Sequence, residues 1–432
     1  MINVVIFLFV FGAAVGSIAN WAICQLRYYE VLSISPWSKP HPNASARRKF
    51  DYLPIVGWFS LRRDAKAIGY SFWIRPLLIE LALASGAVWF YFWQARGGVL
   101  GQLCLPGAFD AEVWYATHGL LIVLLTVATF IDFDEQTIPD WITIPGTLAA
   151  LIVAAALPGY RLPELLPTLA GVTYRPLTFC SPYDIADCEW RLDWRGIAAG
   201  CGTVVVWMVA VMPKIATTRF GIWRGIWLLW ASMVRPNRRR GVPGQNVQRG
   251  PFATTWLLFL LGAALCAGTA WVWMLGGVQW DSFLGALMGL AFGGGLVWGV
   301  RLIGSAAMGQ EAMGFGDVTL MAMIGAFLGW QAALLVFALA PFAALFIAIA
   351  QFVLSRSRVI AFGPYLSLAA LLLIIFWSAI WNENAKNGVF QLGGPILLAV
   401  IAGALVAMGL MLLGLRWLKG LRSNDEEEEG PA

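Results

Sequence analysis

Apolar runs about 20 residues long recur along this chain of 432 residues, the length at which an α-helix crosses ~30 Å of hydrocarbon. Inside a bilayer the backbone must satisfy its own polar groups, so only helices and closed barrels qualify. The alternating apolar and polar pattern of a membrane barrel is absent. Apolar residues make up 59% and charged residues 12% of the chain, against about 45–50% and about 25% in soluble domains. The predicted fold class is all-α: a polytopic transmembrane helix bundle.

Spans are predicted near 2–23, 73–95, 115–132, 141–158, 195–213, 253–276, 283–304, 318–331, 332–353, 361–381 and 393–416, about eleven in all. Charge orients them. Residues 25–66 carry eight Lys/Arg against three acids, and residues 214–250 carry eight against none. Such an excess marks the cytoplasmic side, which puts the N-terminus outside. Membrane lipid is therefore an expected partner. Nucleic acid is the weaker reading of these basic loops and is not expected. No positive n-region precedes the first run, so a span fits residues 2–23 better than a cleaved signal peptide. The piece 220–234, with Trp223, Trp227 and Trp230 among arginines, reads as an interfacial helix. Residues 425–429 read as a solvated acidic tail.

Six cysteines include no C-x-x-C, so no zinc framework is legible. Cys180 and Cys188 share an acidic loop that falls outside. They could pair in an oxidising compartment, though spacing alone does not establish it.

Against this apolar background two aspartates stand out. Asp132 lies in Ile131-Asp132-Phe133-Asp134-Glu135-Gln136-Thr137-Ile138-Pro139-Asp140, and Asp317 ends Met313-Gly314-Phe315-Gly316-Asp317. Each sits where an apolar run meets polar sequence, and ionisable groups near hydrocarbon are costly enough to imply a use. Asp317 could simply N-cap a helix, but a cap needs neither flanking glycine, and glycines permit unusual backbone and close approach of a second chain. Asp132 ends a span, where the helix dipole disfavours a carboxylate by roughly 0.3–1 kcal/mol. Asp134 and Glu135 read as aqueous-loop residues, and Asp140, after Pro139, reads as the cap of the next helix. Counting crossings puts Asp132 and Asp317 at cytoplasmic helix ends.

Two facing carboxylates share a proton. The ionised one takes a proton from water while the protonated one polarises a carbonyl, with neither metal nor covalent intermediate. Other catalytic equipment is sparse: two histidines, His41 and His118, no H-E-x-x-H and no G-x-S-x-G. The rival class is a secondary transporter with Asp132 and Asp317 as ion ligands, which would hold them near the midplane on interrupted helices.

The motifs together resemble one family. Gly16-Ser17-Ile18-Ala19-Asn20 with Arg27, Asp51 to Trp58 with Leu61-Arg62-Arg63, Pro76 to Leu81, Ile131 to Asp140, Glu311 to Trp330 and Phe362 to Leu366 resemble, in order, the motifs of type IV prepilin peptidases, membrane aspartic proteases of the GxGD class. Thr319 stands where that pattern has Lys. The resemblance implies Asp132 and Asp317 as a catalytic dyad in the inner membrane. They would cleave the basic leader of prepilins or pseudopilins on the cytoplasmic side, after the Gly that precedes the pilin's apolar helix. It also implies Gly314, Gly316, Pro139, Asp140 and Glu311 as substrate-binding or backbone-positioning residues. An inactive member serving as an assembly factor is a third reading, against which the intact aspartate pair weighs.

Many members also N-methylate the new N-terminus with S-adenosylmethionine. The family's loop usually binds zinc through two Cys pairs, but residues 37–72 hold no cysteine. No zinc is expected, no cofactor is needed for proteolysis, and the missing pairs weigh against S-adenosylmethionine. The expected division is a first helix (1–23), a cytoplasmic loop (24–72), two halves of a peptidase membrane core (73–158 and 283–382), an insertion between them (159–282), and an extra span with an acidic tail (383–432).

Overall fold

The computed structural model describes residues 2–27, 35–37, 44–101, 104–168, 171–183, 185–211, 251–309, 311, 313–354, 362–381, 399 and 402–403. The elements are α1 (Ile2–Gln25), α2 (Val56–Leu61), α3 (Ala65–Ile68), α4 (Ile74–Ala95), α5 (Ala108–Glu135), α6 (Asp140–Ala156), β1 (Pro163–Thr168), β2 (Gly171–Pro176), α7 (Trp194–Val211), α8 (Pro251–Leu275), α9 (Gly277–Met308), α10 (Phe315–Leu328), α11 (Trp330–Leu354), α12 (Gly363–Ile375) and α13 (Trp377–Ile380). This is an all-α membrane protein with one small hairpin. Among the described residues, α1, α4, α5, α7 and α9 are long and apolar enough to cross a bilayer, and α6, α10, α12 and parts of α8 and α11 are shorter apolar helices. The expected interfacial helix, most of the second basic loop, nearly all of the last span and the acidic tail lie outside the described residues, as does His41.

The core is built around α10. Its 14 residues reach only about 21 Å, short of the hydrocarbon thickness, and every residue from Asp317 to Leu328 is buried. It packs on α6, α9 and α11–α12 rather than on lipid. Glycine permits the closest of these approaches. A Cβ on Gly289 of α9 would lie 2.7 Å from the carbonyl carbon of Gly325, and one on Gly325 would lie 2.7 Å from that of Gly289. Small residues of this kind let membrane helices touch backbone to backbone.

Helix ends sort onto two faces. At one, the segment 157–194 forms a folded cap. β1 and β2 pair antiparallel, with Glu164 opposite Arg175, and Cys180 is bonded to Cys188. Buried Arg161 donates to the carbonyls of Leu177 (3.3 Å) and Ser282 (2.8 Å). Trp330 and Gln331, at the start of α11, donate to Phe179 O, Thr178 O and Ser181 O. Arg191 pairs with Asp281, and Trp377 donates to Pro163 O. The loop is thus fastened to α9, α11 and α13, and buried carbonyls are satisfied that would otherwise be costly.

At the other face, residues 44–73 fold on charges. Arg63 bonds both oxygens of Asp51, which also accepts the Arg48 N–H at 2.7 Å. Asp64 accepts from Ser45 and Arg47. Buried Glu80 of α4 accepts from Asn20 of α1 (3.1 Å) and from the N–H of Ile55, whose φ of 63° a β-branched residue rarely adopts.

Two outcomes test this packing. Gly289→Ala lowers the thermal midpoint of the solubilised protein, since overpacking costs about 1–3 kcal/mol, whereas Gly295→Ala, with open space at its Cβ, does not; equal effects would contradict the close approach. The bond from Arg63 is the largest cause holding the Asp51 carboxyl well below the usual carboxylate range. A depressed pKa stabilises the fold above the unfolded value of about 3.9, and the contribution is lost as pH falls through the folded value. Asp51→Asn therefore speeds limited proteolysis within residues 44–64 at neutral pH, and the difference from the parent shrinks below about pH 4.

Candidate active site

Asp132 lies in the last turn of α5 and is 4% exposed; Asp317 lies in the first turn of α10 and is 7% exposed. They are close enough for the charge of Asp132 to act on Asp317. The N–H of Gly363, at the start of α12, donates to Asp132 Oδ2 at 3.1 Å, and Gly314 stands beside Asp317, whose Oδ2 lies 3.6 Å from where a Cβ on Gly314 would be. Each carboxylate therefore meets the N-terminus of a helix, where free N–H groups and the dipole favour negative charge. The unfavourable end of α5 is offset for Asp132 by the favourable end of α12.

Ile138 locks the two halves together. After α5 the chain turns at Gln136, in the left-handed region at φ 55°, with its N–H on Asp132 O at 2.9 Å. Ile138 then packs beside both glycines. A Cβ on Gly316 would lie 2.9 Å from Ile138 Cβ, and one on Gly363 would lie 2.6 Å from Asp132 Oδ2 and 2.8 Å from Ile138 Cδ1. Gly316 and Gly363 are glycines because there is no room for more. Gly314 differs. It is exposed, its backbone (φ −66°, ψ 151°) suits any residue, and a Cβ there would meet only Asp317 and Gly316, at 3.6 Å or more. The expectation of glycine-only backbone at Gly314 and Gly316 is therefore corrected: neither has positive φ, the need at Gly316 is for space, and packing among the described residues leaves room for a Cβ at Gly314.

Three further expectations change. Asp134 and Glu135 belong to the last turn of α5, not to an aqueous loop. Asp134 pairs with Arg27, which follows α1, and with Arg75 of α4 at 2.7 Å. Arg75 also donates to Phe130 O at 3.0 Å and lies over the Phe130 ring. Asp140 is the first residue of α6 while buried Pro139 is its N-cap, since the extended ψ of Pro139 (137°) leaves it just outside the helix. Asp317 is likewise inside its helix, with Gly314 as the N-cap. Glu311 is exposed and pairs with Arg301 of α9 at 3.0 Å; Arg301 also holds Met313 O, which anchors the approach to α10. Thr319 donates to Gly316 O at 3.0 Å. His118 is fully buried on α5, about 21 Å along the helix from Asp132, and takes no part.

The structure thus gathers Asp132, Asp317, Gly316 and Pro139, and sets Glu311 apart on the surface. Sequence reasoning left out Gly363 and Ile138, and the signal for Gly363 was present in the Phe362-Gly363-Pro364-Tyr365-Leu366 motif. Two buried carboxylates at helix N-termini, one of them held by a backbone N–H, form an arrangement suited to acid/base hydrolysis.

Comparison with known proteins meets this geometry. The model of the type IV leader peptidase family matches residues 119–180 and 249–349, which hold Asp132 and Asp317. The match reaches into residues 159–180 and 249–282, which the sequence reading had assigned to an insertion. Among curated proteins, the prepilin leader peptidase/N-methyltransferase of Aeromonas hydrophila is 35% identical over 110 residues, 25% of this chain and 37% of that protein. Proteins of the same name from Myxococcus xanthus and Escherichia coli are 27% and 33% identical over 149 and 94 residues. These cover 34% and 21% of this chain and 40% of each relative. The chain therefore matches well under half the length of these relatives. No solved structure matches. Across the two segments that supply the aspartates, this chain is similar to the type IV leader peptidase family, and the resemblance read from its motifs holds.

Proposed function

We propose that this chain is a membrane aspartic endopeptidase that removes the basic leader of type IV prepilin or pseudopilin precursors. Asp132 and Asp317 are its catalytic pair, and it acts at the cytoplasmic face of the inner membrane. The observation that carries the reading is the meeting of two buried carboxylates, from segments 185 residues apart, at one set of helix ends. The names of the matched relatives support the substrate class. The Lys/Arg distribution supports the sidedness, with about eleven spans and the N-terminus outside. The segments 73–158 and 283–382 then form the catalytic core, behind a cytoplasmic loop at 24–72.

In this mechanism the ionised aspartate accepts a proton from water as the water oxygen bonds to the scissile carbonyl carbon. The protonated aspartate donates to the carbonyl oxygen. Collapse of the tetrahedral intermediate breaks the C–N bond; the leaving amine takes a proton from the aspartate that received it, and the other aspartate recovers its proton from the intermediate's hydroxyl as the carbonyl re-forms. Gly363 orients Asp132 through its N–H, and Asp317 is held by its place in the first turn of α10. The open space at Gly314 admits an extended substrate backbone, while Pro139, Asp140 and Glu311 act by positioning their segments. The step needs no metal or other cofactor. The relatives' names also carry N-methylation; with no cysteine in residues 37–72 we propose the proteolytic step alone, without S-adenosylmethionine. A secondary transporter is not favoured, since the matched relatives are named as peptidases.

Co-expression with a precursor, scored by the mobility shift on leader loss, tests the reading. Asp132→Asn and Asp317→Asn each lower cleavage by roughly 10⁴-fold or more while the protein stays in the membrane, and Asp134→Asn retains more activity than either. Unimpaired cleavage by both of the first two would remove the dyad. Gly363→Ala, which pushes a methyl group against Asp132, lowers kcat/KM by about 10²-fold; parent-like kinetics there would exclude Gly363 from positioning Asp132.

A further inference from the structure

A cavity of about 1060 Å³ runs along α1, α4, α5 and α12. Its α5 wall extends from Tyr115 to Phe130, about 22 Å of helix, and among the described residues Arg75 is its one charged lining residue. It is open on its side, with Leu78 59% and Leu120 39% exposed. Its volume takes the side chains along one face of a helix, and not a whole helix about 10 Å across.

Two features tie this groove to the carboxylates. Phe130, at its end, precedes Asp132 by two residues on α5, and Arg75 bonds Phe130 O and Asp134. α12 contributes Leu371 and Ile375 to the groove and Gly363 to Asp132. The same two helices therefore build the groove wall and the surroundings of Asp132. Gly86 of α4 and Gly119 of α5 line the groove, and a Cβ on either would meet nothing within 4 Å. Among the described residues neither glycine has a packing partner at its Cβ position, and both leave room for close approach of another helix.

From this continuity with the dyad we infer that the groove seats the apolar helix of the substrate, so that the residues preceding that helix reach Asp132 and Asp317. This rests on the prepilin-peptidase reading and adds to it the surface that selects a membrane-anchored substrate. Length favours such an occupant: a wall of about 22 Å matches four turns of a helix that continues to the membrane surface beside Phe130.

The test uses the full chain in vesicles with two probes. One is a precursor with a lysine-rich leader ending in Gly, followed by an apolar helix of about 20 residues. The other is a soluble peptide carrying the same leader and cleavage point without that helix. Gly119→Leu and Gly86→Leu each lower the precursor-to-peptide ratio of kcat/KM by about tenfold, through the KM of the precursor. Gly202→Leu, on α7 away from the groove and equally open, keeps the parent ratio. A photo-crosslinking side chain at Leu120 of the otherwise unchanged protein forms an adduct with the precursor, which covers the case of a groove variant that fails to fold. Parent-like ratios in both groove variants, or no adduct, would overturn the inference; loss of bound lipid without a change in ratio would make the groove a lipid site and overturn it equally. A parent that cleaves neither probe would sink the peptidase reading itself.

Discussion

Backbone contact between α9 and α10, at Gly289 and Gly325, is the constraint on which the site depends. α10 is too short to span the hydrocarbon and carries a buried carboxylate in its first turn. Nothing but protein can hold such a helix at a defined depth. Gly293 continues the contact toward Met321, and Gly285 leaves room beneath the guanidinium of Arg161. Spaced four residues apart, Gly285, Gly289 and Gly293 lie along one face of α9. That face fixes α10 on one side and the cap at residues 157–194 on the other. The cap in turn grips the far end of α10 and the start of α11 through Tyr160, Trp330 and Gln331.

With α10 fixed, the electrostatics of the carboxylates follow. A charge near hydrocarbon needs compensation, and here helix termini supply it. Asp317 is served by the start of its own helix and Asp132 by the start of α12. Arginines go elsewhere: Arg27 and Arg75 converge on Asp134 and join α1 and α4 to the end of α5. Two acids two residues apart thus serve different ends. One closes a structural clasp, while the other is buried and held by a backbone N–H.

The apolar runs made the helices legible, and the break at Gly329, where φ is 91°, separates α10 from α11 near where sequence placed it. Hydropathy marks the hydrocarbon, however, and helices run past it. α5 continues through Glu135, and α9 begins at Gly277 and ends at Met308, beyond the expected 115–132 and 283–304. The aspartate pair was readable because charges are rare here. Its supports were not, since Arg27 to Asp134 and Gly363 to Asp132 join residues 107 and 231 apart. Spacing also left the Cys180–Cys188 pairing open, and the structure bonds them. The role of glycine was misjudged for a physical reason: sequence shows that a side chain is missing, not whether shape or space requires it.

The claim that Asp132 and Asp317 act as one unit is tested most directly by single-turnover cleavage rates of Asp132→Asn, Asp317→Asn and the variant carrying both. Groups that share one proton lose their function together, so the double variant is predicted to cleave no more slowly than either single one. Losses that multiply would mean that the two carboxylates act independently, and would contradict the account.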